Sequence, residues 1–470
     1  MERGYAPLAL TWRLTPGARL PSLRSAAAIT AGGAAAVPAD DGLQCAMRAI
    51  ADGATEERLL AIAGEEMAPL YHLLAQLTAR RLLEVTADLD GRTICRLLPR
   101  KRGFQLPPEV KVPPRVALDR FAYLRAGTRG AILQAPHAPC DIVAEAPIAG
   151  SLIVRLAAAP VTSDEQHDDV EHALLALLVA LGFAGDADAP EPPARRTWEF
   201  HDQLFHSATQ LHDDGVARGA TFRFRNALPS PPAVRPRHAG MDILLPEARG
   251  DGPEKGRTLR QLMRERRSRR DVEGASLTIA ELGEVLDRVA RITARYGDGV
   301  PESARRPIPS AGALQALEFY LATDGCAGLP AGFFHYRGDT HGLTRLPNGD
   351  AAAATLLEEC ARAWGQPGRP PPVLVVLAVR LPRLAWKYEG IAYRLALLDA
   401  GVALQSLYLV TTDLGLAGAA VGASDPDLFA QASGTDPWEE TCIAAFGLGW
   451  PRRLDAPAAA TESTAPGDEP

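Results

Sequence analysis

The stretch AWKYEGIAYRLALLDAGVALQS, residues 385–406, sets a polar pair directly before a long apolar pattern. Lys387 and Tyr388 form the pair, and after them apolar residues recur three and four apart on almost every side. This pattern predicts a buried helix, and Ala400 with Gly401 would let a second subunit approach it closely. Neighbouring side chains diverge on a helix or a strand. We therefore expect the pair to lie in a loop if both side chains reach one target.

The composition is that of a soluble globular protein with more than one domain. The chain has 470 residues, of which 47% are hydrophobic and 23% are charged, a balance that excludes disordered and fibrous classes. The formal net charge of -7 argues against nucleic acid as a partner, because phosphate neutralisation needs a basic face. The strongest apolar run, ALLALLVALGFA from Ala173, is too short to span a membrane. We expect neither a nucleic-acid partner nor a membrane partner.

Six cysteines are scattered along the chain without a Cys-x-x-Cys pair or a zinc-ligand spacing. A structural metal and a disulfide framework are therefore not expected. Cysteine usage of this kind is typical of the reducing cytoplasm.

Shifts in composition divide the chain into five segments. Residues 1–110 contain short helical patterns and then two alternating runs around Asp90-Gly91, a hairpin signal that suggests a winged-helix-like module. This module would bind a peptide or be purely structural, since its longest helix opens with acidic residues that would repel DNA phosphates. Residues 111–190 form a strand-rich module, and residues 191–256 form an aromatic helix with an extended Pro- and Gly-rich connection. Residues 257–453 form a domain of alternating helices and strands, and residues 454–470 form a disordered tail.

The fold class predicted from these patterns is α+β. Within the strand-rich module, RFAYLRAG, GAILQAP and GSLIVRLAA are strand candidates. In residues 257–453, Thr278 and Glu281 suit the start of a helix, and ALEFYLAT, AGFFHYRG, PVLVVLAVRL and TCIAAFGLGW are strand candidates rich in β-branched and aromatic residues.

The run RERRSRRDV, residues 264–272, carries candidate phosphate ligands. Arg266 and Arg270 lie four apart, which is one turn of a helix, with Ser268 between them. Two guanidinium groups and a hydroxyl could converge on one phosphate. The alternative interpretation is a solvated basic helix end.

Two small-residue segments could approach a planar ligand. PSAG, residues 309–312, is expected to leave an extended segment and enter a helix, exposing backbone N–H groups; an ordinary turn capped by Ser310 is the alternative. GLAGAAVGA from Gly415 and FGLGWPRR from Phe446 offer flexible backbone. No Gly-x-Gly-x-x-Gly or Walker sequence occurs, which excludes the usual nicotinamide and nucleoside-triphosphate folds.

Taken together and in this order, these stretches resemble the nitroreductase-like FMN flavoproteins, and more narrowly the SagB-type azoline dehydrogenases of thiazole/oxazole-modified peptide biosynthesis. The matching blocks RRSRR, PSAGALQALEFY, AGFFHY, KYEGIAYRLALLDAGVALQSLYL and GLG cover residues 257–453. The resemblance implies an FMN-binding domain with a central, mostly antiparallel sheet flanked by helices. It also implies a peptide-clamp-type function for the winged-helix-like start, and a homodimer.

The resemblance assigns roles to individual residues. Lys387 and Tyr388 match the catalytic pair. The residues that would hold the FMN phosphate are Arg266, Ser268, Arg270, Gly449 and Arg452. The flavin ring would lie between Pro309, Ser310, Ala311 and Gly312 on one side and Gly415, Leu416 and Gly418 on the other. No metal is implied. Two departures are Ser406, where relatives often carry an amide, and position 209, where an arginine would be expected.

The resemblance thus implies an FMN-dependent dehydrogenase that acts on an azoline-containing precursor peptide, with YcaO- or ThiF-like cyclodehydratase subunits as partners. Aromatising a thiazoline or an oxazoline removes one hydride and one proton, and the proton needs a base near working pH. Lys387 and Tyr388 supply an amine and a phenol for that step. The alternatives are an NAD(P)H-dependent nitroreductase-type enzyme and a non-catalytic scaffold that binds a leader peptide or a partner.

Overall fold

A computed structural model of the chain describes residues 8–16, 18, 41–64, 67–101, 104–105, 110–163, 169–210, 217–247, 257–273, 277–297, 301–422 and 424–452. The tail predicted for residues 454–470 lies outside the described residues. The chain forms two compact units, Met1–Ala217 and Arg218–Pro470.

The first unit is built on a six-stranded antiparallel sheet in the order β1-β2-β3-β7-β6-β5 and a small sheet in the order β8-β4-β9. Its strands are β1 Ala9–Leu14, β2 Leu83–Leu89, β3 Arg92–Pro99, β4 Arg115–Leu118, β5 Tyr123–Gly127, β6 Gly130–Gln134, β7 Cys140–Ala144, β8 Val161–Thr162 and β9 Ala184–Asp186. Its helices are α1 Asp41–Asp52, α2 Glu56–Ala63, α3 Met67–Ala79, α4 Pro147–Ala158, α5 Asp169–Ala180, α6 Pro193–Arg196 and α7 Phe200–Thr209.

The hairpin predicted at Asp90-Gly91 joins β2 to β3. Asp90 has φ 48° and Gly91 has φ 76°, the left-handed pair that a two-residue hairpin turn requires. Among the described residues, helices α1, α2 and α3 precede this hairpin, in the region where the sequence has short helical patterns. The winged-helix-like module stays a prediction.

The six-stranded sheet crosses the predicted boundary at residue 110. Strand β3 pairs with β7 over five residues, from Cys95↔Ala144 to Pro99↔Cys140, and one hydrophobic core runs from Leu8 to Ala184. Residues 1–110 and 111–190 therefore share one unit, because the hairpin alone is too small to bury its apolar face.

The strand prediction for GSLIVRLAA is wrong, because this run lies in helix α4. Pro147 occupies the first turn of the helix, where its missing N–H costs nothing. Ala149, Leu152, Ile153 and Leu156 are buried, a spacing of three and four that fits a helix.

The second unit holds an eight-stranded antiparallel sheet in the order β11-β17-β16-β15-β18-β21-β12, with β20 also paired to β21. The strands of this unit are β10 Gly219–Ala220, β11 Asp242–Leu244, β12 Val272–Glu273, β13 Ala294–Tyr296, β14 Ser303–Arg305, β15 Leu317–Thr323, β16 Gly332–Arg337, β17 Gly342–Arg345, β18 Val373–Val379, β19 Tyr388–Glu389, β20 Ala417–Val421 and β21 Thr441–Pro451. Its helices are α8 Leu259–Glu265, α9 Ile279–Ala290, α10 Asp350–Ala363, α11 Leu381–Lys387, α12 Ala392–Asp413 and α13 Pro426–Ser433. The predicted α+β class and the antiparallel sheet with flanking helices are confirmed.

Alternation along the central strands places a core on each face of this sheet. On β15, Leu317, Phe319 and Leu321 face the core that contains α9 and α12. Tyr320 and Ala322 face the second core, formed with α10 and α13. The predicted start of α9 is confirmed by a reciprocal capping box between Thr278 and Glu281.

Helix α12 is not buried on all sides, in contrast to the sequence prediction. Its inner face, including Ala396, Ala403 and Leu407, packs on the sheet, whereas Leu398 is 58% exposed. Among the described residues, α12 is the one helix whose length and composition would allow it to cross a membrane. The long apolar pattern of α12 thus combines a buried inner face with an outer face whose apolar side chains are exposed.

Candidate functional site

Lys387 and Tyr388 lie at a junction between a helix and a strand. Lys387 is the last residue of α11, and Tyr388 opens β19 with φ -105° and ψ 129°. Pro382 starts α11 instead of bounding a loop, so the loop predicted here is a helix end. The abrupt change of backbone conformation allows two neighbouring side chains to point the same way.

Both side chains converge on Gly312. A Cβ atom at residue 312 would lie 2.5 Å from Tyr388 Oη and 2.6 Å from Lys387 Nζ. Gly312 also has φ 58°, a left-handed conformation that favours glycine. Only a glycine therefore leaves room here for the amine and the phenol.

The turn that carries Gly312, residues 308–315, does not enter the predicted helix. It makes a single 3-10 turn at Ala311–Ala313, and Ala313 and Gln315 also have positive φ values of 57° and 48°. Strand β15 begins directly afterwards, so no residues remain for a helix.

Side chains from outside and inside the turn hold it in this conformation. The Ser310 hydroxyl accepts the Gln315 N–H at 2.9 Å, and the buried Arg383 donates from Nε to the Leu314 carbonyl at 2.6 Å. The Ser310 hydroxyl is therefore engaged inside the turn. Pro309 lies just before it and lines a groove with Thr293 and the two arginines at 305 and 306.

Asp399, on α12, is a member of this site that sequence reasoning missed. Its two carboxylate oxygens accept the Ala311 N–H at 3.1 and 3.2 Å. Burial raises the pKa of Asp399 to about 6, although the Ala311 N–H acts in the opposite direction. Burial, and secondarily the charge of Asp399, raise the pKa of Tyr388. We call Gly312, Lys387, Tyr388 and Asp399 the Lys–Tyr cluster.

A second missed feature is the strap, residues 219–225, which lies against the pair. Its strand β10 pairs with β19, and the Phe222 N–H donates to the Lys387 carbonyl at 3.1 Å. Lys387 Nζ lies 5.7 Å from the centre of the Phe222 ring and 5.3 Å from that of Tyr388, in reach of cation–π attraction. Thr221 donates a hydrogen bond to Glu389 at 2.9 Å. The strap thus fixes both the backbone and the amine.

Two of the predicted phosphate ligands, Arg266 and Ser268, lie against Tyr408. Ser268 Oγ lies 3.0 Å from Tyr408 Oη, which accepts the Ala420 N–H at 2.9 Å. The guanidinium carbon of Arg266 lies 5.2 Å from the centre of the Tyr408 ring. Nothing in the sequence pattern marked Tyr408 except its polar hydroxyl on an apolar helix. Arg266, Ser268, Arg270, Tyr408 and Gly418 form what we call the Tyr408 cluster.

The helical spacing predicted for Arg266 and Arg270 is wrong. Helix α8 ends at Glu265, and Arg266 is its cap residue with ψ 126°. The chain then runs extended, because the Arg269 N–H donates to the Gly418 carbonyl at 3.0 Å and β12 pairs with β21. In the part of the chain that the structure describes, no carboxylate lies within ion-pair distance of Arg266 or Arg270.

The remaining predicted ligands occupy three kinds of position. Gly418 and Gly449 lie in paired strands and lack space for a side chain, since a Cβ would meet Phe446 or Pro372. Leu416 is buried in the core, and Gly415 follows α12 with φ 74°. The Arg452 N–H donates to the Asp271 carbonyl at 2.9 Å, beside the Tyr408 cluster.

The candidate residues therefore form two clusters, which α12 connects. Asp399 belongs to one cluster and Tyr408 to the other, nine residues apart, or roughly 13 Å along the helix axis. Ser406, between them, donates to the Val402 carbonyl of its own helix at 2.9 Å. Within the described residues, no group of three or more His, Cys, Asp or Glu side chains could hold a metal ion.

Comparison with protein families finds two matches that follow one another along the chain. Residues 263–450 match the nitroreductase family, and residues 116–213 match the cyanobactin oxidase ThcOx family. The first match contains both clusters, and Arg452 lies just beyond its end. The strap lies between the two matched regions.

Individual relatives are more distant. A Methanocaldococcus jannaschii protein described as a nitroreductase is 27% identical over 168 residues, which are 35% of this chain and 78% of that protein. A nitroreductase structure from Ralstonia eutropha has 19% identity and a TM-score of 0.37, with 51% of this chain and 100% of that chain covered. The microcin synthetase McbBCD complex of E. coli, bound to truncated pro-MccB17, has 20% identity and a TM-score of 0.31, covering 38% of this chain and 66% of that chain.

The two family matches and the antiparallel sheet agree with the resemblance seen in the sequence. The chain thus carries a nitroreductase-like domain at residues 263–450, and a region at residues 116–213 that matches the cyanobactin oxidase ThcOx family precedes it.

Proposed function

We propose that this protein is an FMN-dependent dehydrogenase that oxidises thiazolines or oxazolines in a ribosomally made peptide to thiazoles or oxazoles. The observation that carries this proposal is the convergence of Lys387 Nζ and Tyr388 Oη on Gly312, inside a nitroreductase-family domain that follows a cyanobactin-oxidase-type region. A plain nitroreductase reaction gives no reason for an amine and a phenol at one point.

The residues present suit FMN at both ends. Arg266 and Arg270 carry positive charge without a carboxylate partner among the described residues, and guanidinium forks match phosphate geometry. The segment at residues 309–312 carries only small side chains, so a planar ring could approach its backbone closely. Arg266, Ser268 and Arg270 would hold the phosphate, and the turn with Gly312 would line the ring.

The protein's own contribution to the oxidation is handling the proton. Bound FMN would supply the acceptor for the hydride that leaves the azoline. Lys387 Nζ or Tyr388 Oη would take the proton from the neighbouring ring carbon, as a positioned general base. Lys387 Nζ lies within cation–π distance of the Phe222 and Tyr388 rings, which supports Lys387 as the group that assists a Tyr388 that handles the proton.

The proposed substrate is an azoline-bearing precursor peptide, and this defines the partner. An azoline forms when a Cys, Ser or Thr side chain closes on the preceding carbonyl with loss of water. A cyclodehydratase must therefore act before this protein. We place both in the cytoplasm, in line with the six free cysteines.

A homodimer is part of the proposal, because α8 and α12 expose a continuous apolar stripe. The stripe consists of Leu259, Met263, Leu397, Leu398 and Val402. Leu259 is 65% exposed, and Gln405 Nε2 contacts Met263 Sδ at 3.7 Å, which links the two helices. Exposed apolar patches of this kind mark association surfaces. A second copy on this stripe would let the Tyr408 cluster of one protomer and the Lys–Tyr cluster of its partner serve one FMN.

The decisive experiment measures oxidation of an azoline-bearing peptide by mass spectrometry. The purified protein should be yellow, release FMN on heating, and remove two hydrogens per azoline. Lys387→Ala and Tyr388→Phe should each lose at least about 100-fold in turnover while keeping bound FMN. Full turnover in both variants would refute the assigned roles.

The same preparation separates the competing functions. Rapid bleaching of the flavin by NAD(P)H without any response to azoline peptides would favour a nitroreductase. A colourless protein that cannot be reconstituted with FMN but binds peptide would favour a scaffold. For the dimer, Leu398→Glu should give a monomer by light scattering, whereas Val154→Glu, at a residue 59% exposed in the first unit, should not change the mass.

A further inference from the structure

Asp399 is a buried carboxylate without a cationic partner. It is 8% exposed, and among the described residues no Lys, Arg or His lies within ion-pair distance of it. Its hydrogen-bond donor is the Ala311 N–H. A buried charge is costly unless it is paired. The position of a carboxylate on the buried, mostly apolar face of α12 therefore calls for an explanation.

Asp399 holds the Ala311 N–H, which adjoins Gly312, where the Lys387 amine and the Tyr388 hydroxyl meet. Ala311 precedes Gly312, whose missing side chain makes space for both functional groups. The three positive φ values at residues 312, 313 and 315 show a turn that does not fold this way by local preference. The bond to Ala311 is therefore one of the long-range contacts that keep Gly312 beside the pair.

Few charged groups face the pair. Lys387 Nζ lies over the Tyr388 ring at 5.3 Å, and Asp399 approaches from α12 through Ala311. On the strap, the Arg225 guanidinium lies 4.7 Å from the centre of the Phe222 ring, and Arg223 lies 3.8 Å from Glu389. The turn itself carries no titratable side chain at residues 309–315. Asp399 is thus a negative charge that acts on Tyr388.

We propose that Asp399 is a positioning residue of the Lys387–Tyr388 site, which keeps Gly312 against the pair and places a negative charge near Tyr388. This inference rests on the proposed function. It gives the carboxylate two separable roles, since an amide oxygen can accept the Ala311 N–H but carries no charge.

The test compares Asp399→Asn, Asp399→Ala and, as a control on the same helix, Asp413→Asn. Asp413 pairs with Arg288 at 2.7 Å and lies outside both clusters. Asp399→Asn should keep most of the turnover but move the pH profile of azoline oxidation to lower pH, because Tyr388 loses a proton more easily without a nearby negative charge. Asp399→Ala should lose about tenfold in turnover, since Ala311 loses its acceptor. Asp413→Asn should leave the profile unchanged.

A second readout does not depend on activity. The Tyr388 ring carbon that bears the hydroxyl, labelled with ¹³C and assigned through Tyr388→Phe, should titrate at lower pH in Asp399→Asn than in the unmodified protein. Equal Tyr388 titration in the two proteins would overturn the inference, as would unshifted pH profiles with equal losses in Asn and Ala. If the unmodified protein fails to oxidise azolines but the titration shifts, the proposed function fails and the placement of Asp399 stands.

The stability of the protein supplies a third readout with a defined sign. The folded-state pKa of Asp399 is raised to about 6 from 3.8, so the folded protein holds this proton more tightly than the unfolded chain. Stability from this group is complete below pH 4 and is lost as the pH rises towards about 6. The melting temperature of Asp399→Asn relative to the unmodified protein should therefore rise from pH 4 to 6 and stay level above it. A constant difference would contradict burial of the charge.

Discussion

The two clusters of the candidate site differ in how completely the protein itself organises them. At the Lys–Tyr cluster, backbone groups of the turn at residues 308–315 bond to side chains far along the chain: the Ala311 N–H to Asp399, and the Leu314 carbonyl to Arg383. In the Tyr408 cluster, Arg266 and Arg270 have no carboxylate partner among the described residues. Under the proposed function this difference is a division of labour: the Lys–Tyr cluster is preorganised for chemistry, and the Tyr408 cluster keeps its charge for an anionic ligand.

The strongest test of preorganisation is Gly312→Ala. The added Cβ would lie within 2.6 Å of both Lys387 Nζ and Tyr388 Oη, so one or both must move. We expect azoline oxidation to fall at least about 100-fold, because small displacements of reacting groups have effects of that size, while FMN binding through the Tyr408 cluster persists.

Turnover and flavin content are measured on the same preparation of Gly312→Ala. Gly368→Ala is the matched control, since Gly368 also has a positive φ of 73° but nothing within 4 Å of the added Cβ. Gly368→Ala therefore introduces a side chain at a positive φ, as Gly312→Ala does, but the new Cβ meets no other atom. Normal turnover in Gly312→Ala would show that the pair does not work at this point.

Variants of the Tyr408 cluster should lose FMN affinity and keep turnover, the opposite of Gly312→Ala. Arg266→Ala and Arg270→Ala should each weaken FMN binding about 10- to 100-fold, because hydrogen bonds to a charged group contribute about 1.5–3 kcal/mol. Turnover at saturating FMN should change little. Fluorescence titration with FMN and with riboflavin, which lacks the phosphate, measures the effect.

Riboflavin affinity should be the same in these variants as in the unmodified protein. Arg264→Ala removes an exposed arginine of α8 and serves as the charge-matched control. An equal loss of affinity for FMN and riboflavin would mean that the arginines do not contact the phosphate, and the division between the clusters would fail.

The sequence predicted what local patterns determine. Asp90-Gly91 gives a hairpin wherever it joins alternating runs, the Thr278–Glu281 capping box needs only neighbouring residues, and the alternation of β15 indicates its two faces. The element boundary at Lys387 and Tyr388 was readable only on one side: Gly390 interrupts regular structure after the pair, whereas Pro382 lies in the first turn of α11.

Contacts between distant residues decided the rest of the site. The turn at residues 308–315 depends on a bond between residues 88 apart, from Ala311 to Asp399. The arginine run is extended because Arg269 meets Gly418, and no periodicity reports such a contact. The outer face of α12 looked like core because exposed leucines and buried leucines give the same pattern.

The strap tests whether the Lys–Tyr cluster needs support beyond the matched family domain. Phe222→Leu keeps an apolar side chain but removes the aromatic face beside Lys387 Nζ, and it leaves the N–H of residue 222 to donate to the Lys387 carbonyl. We expect about a tenfold loss in turnover, because a partly desolvated cation–π contact contributes about 0.5–2 kcal/mol, with FMN affinity unchanged.

Phe224→Leu is the control for the strap variant, since Phe224 contacts Arg223 and not the pair. Steady-state kinetics on the azoline peptide and a melting curve are recorded for both. An equal loss of turnover in the two variants, or a loss that only follows a lower melting temperature, would contradict a specific contact between Phe222 and Lys387. The strap would then contribute only to packing.

The smallest and most discriminating change is Tyr408→Phe. It removes the hydroxyl that lies 3.0 Å from Ser268 Oγ and accepts the Ala420 N–H, but it keeps the ring below Arg266. A lost hydrogen bond contributes about 1 kcal/mol, so FMN affinity should fall about fivefold, with turnover at saturating FMN unchanged. Thr412→Val removes a hydroxyl of α12 that donates to the Tyr408 carbonyl and should leave affinity as it is. A loss of turnover without a loss of affinity in Tyr408→Phe would mean that this hydroxyl serves the chemistry, and the two clusters would then have to be treated as one.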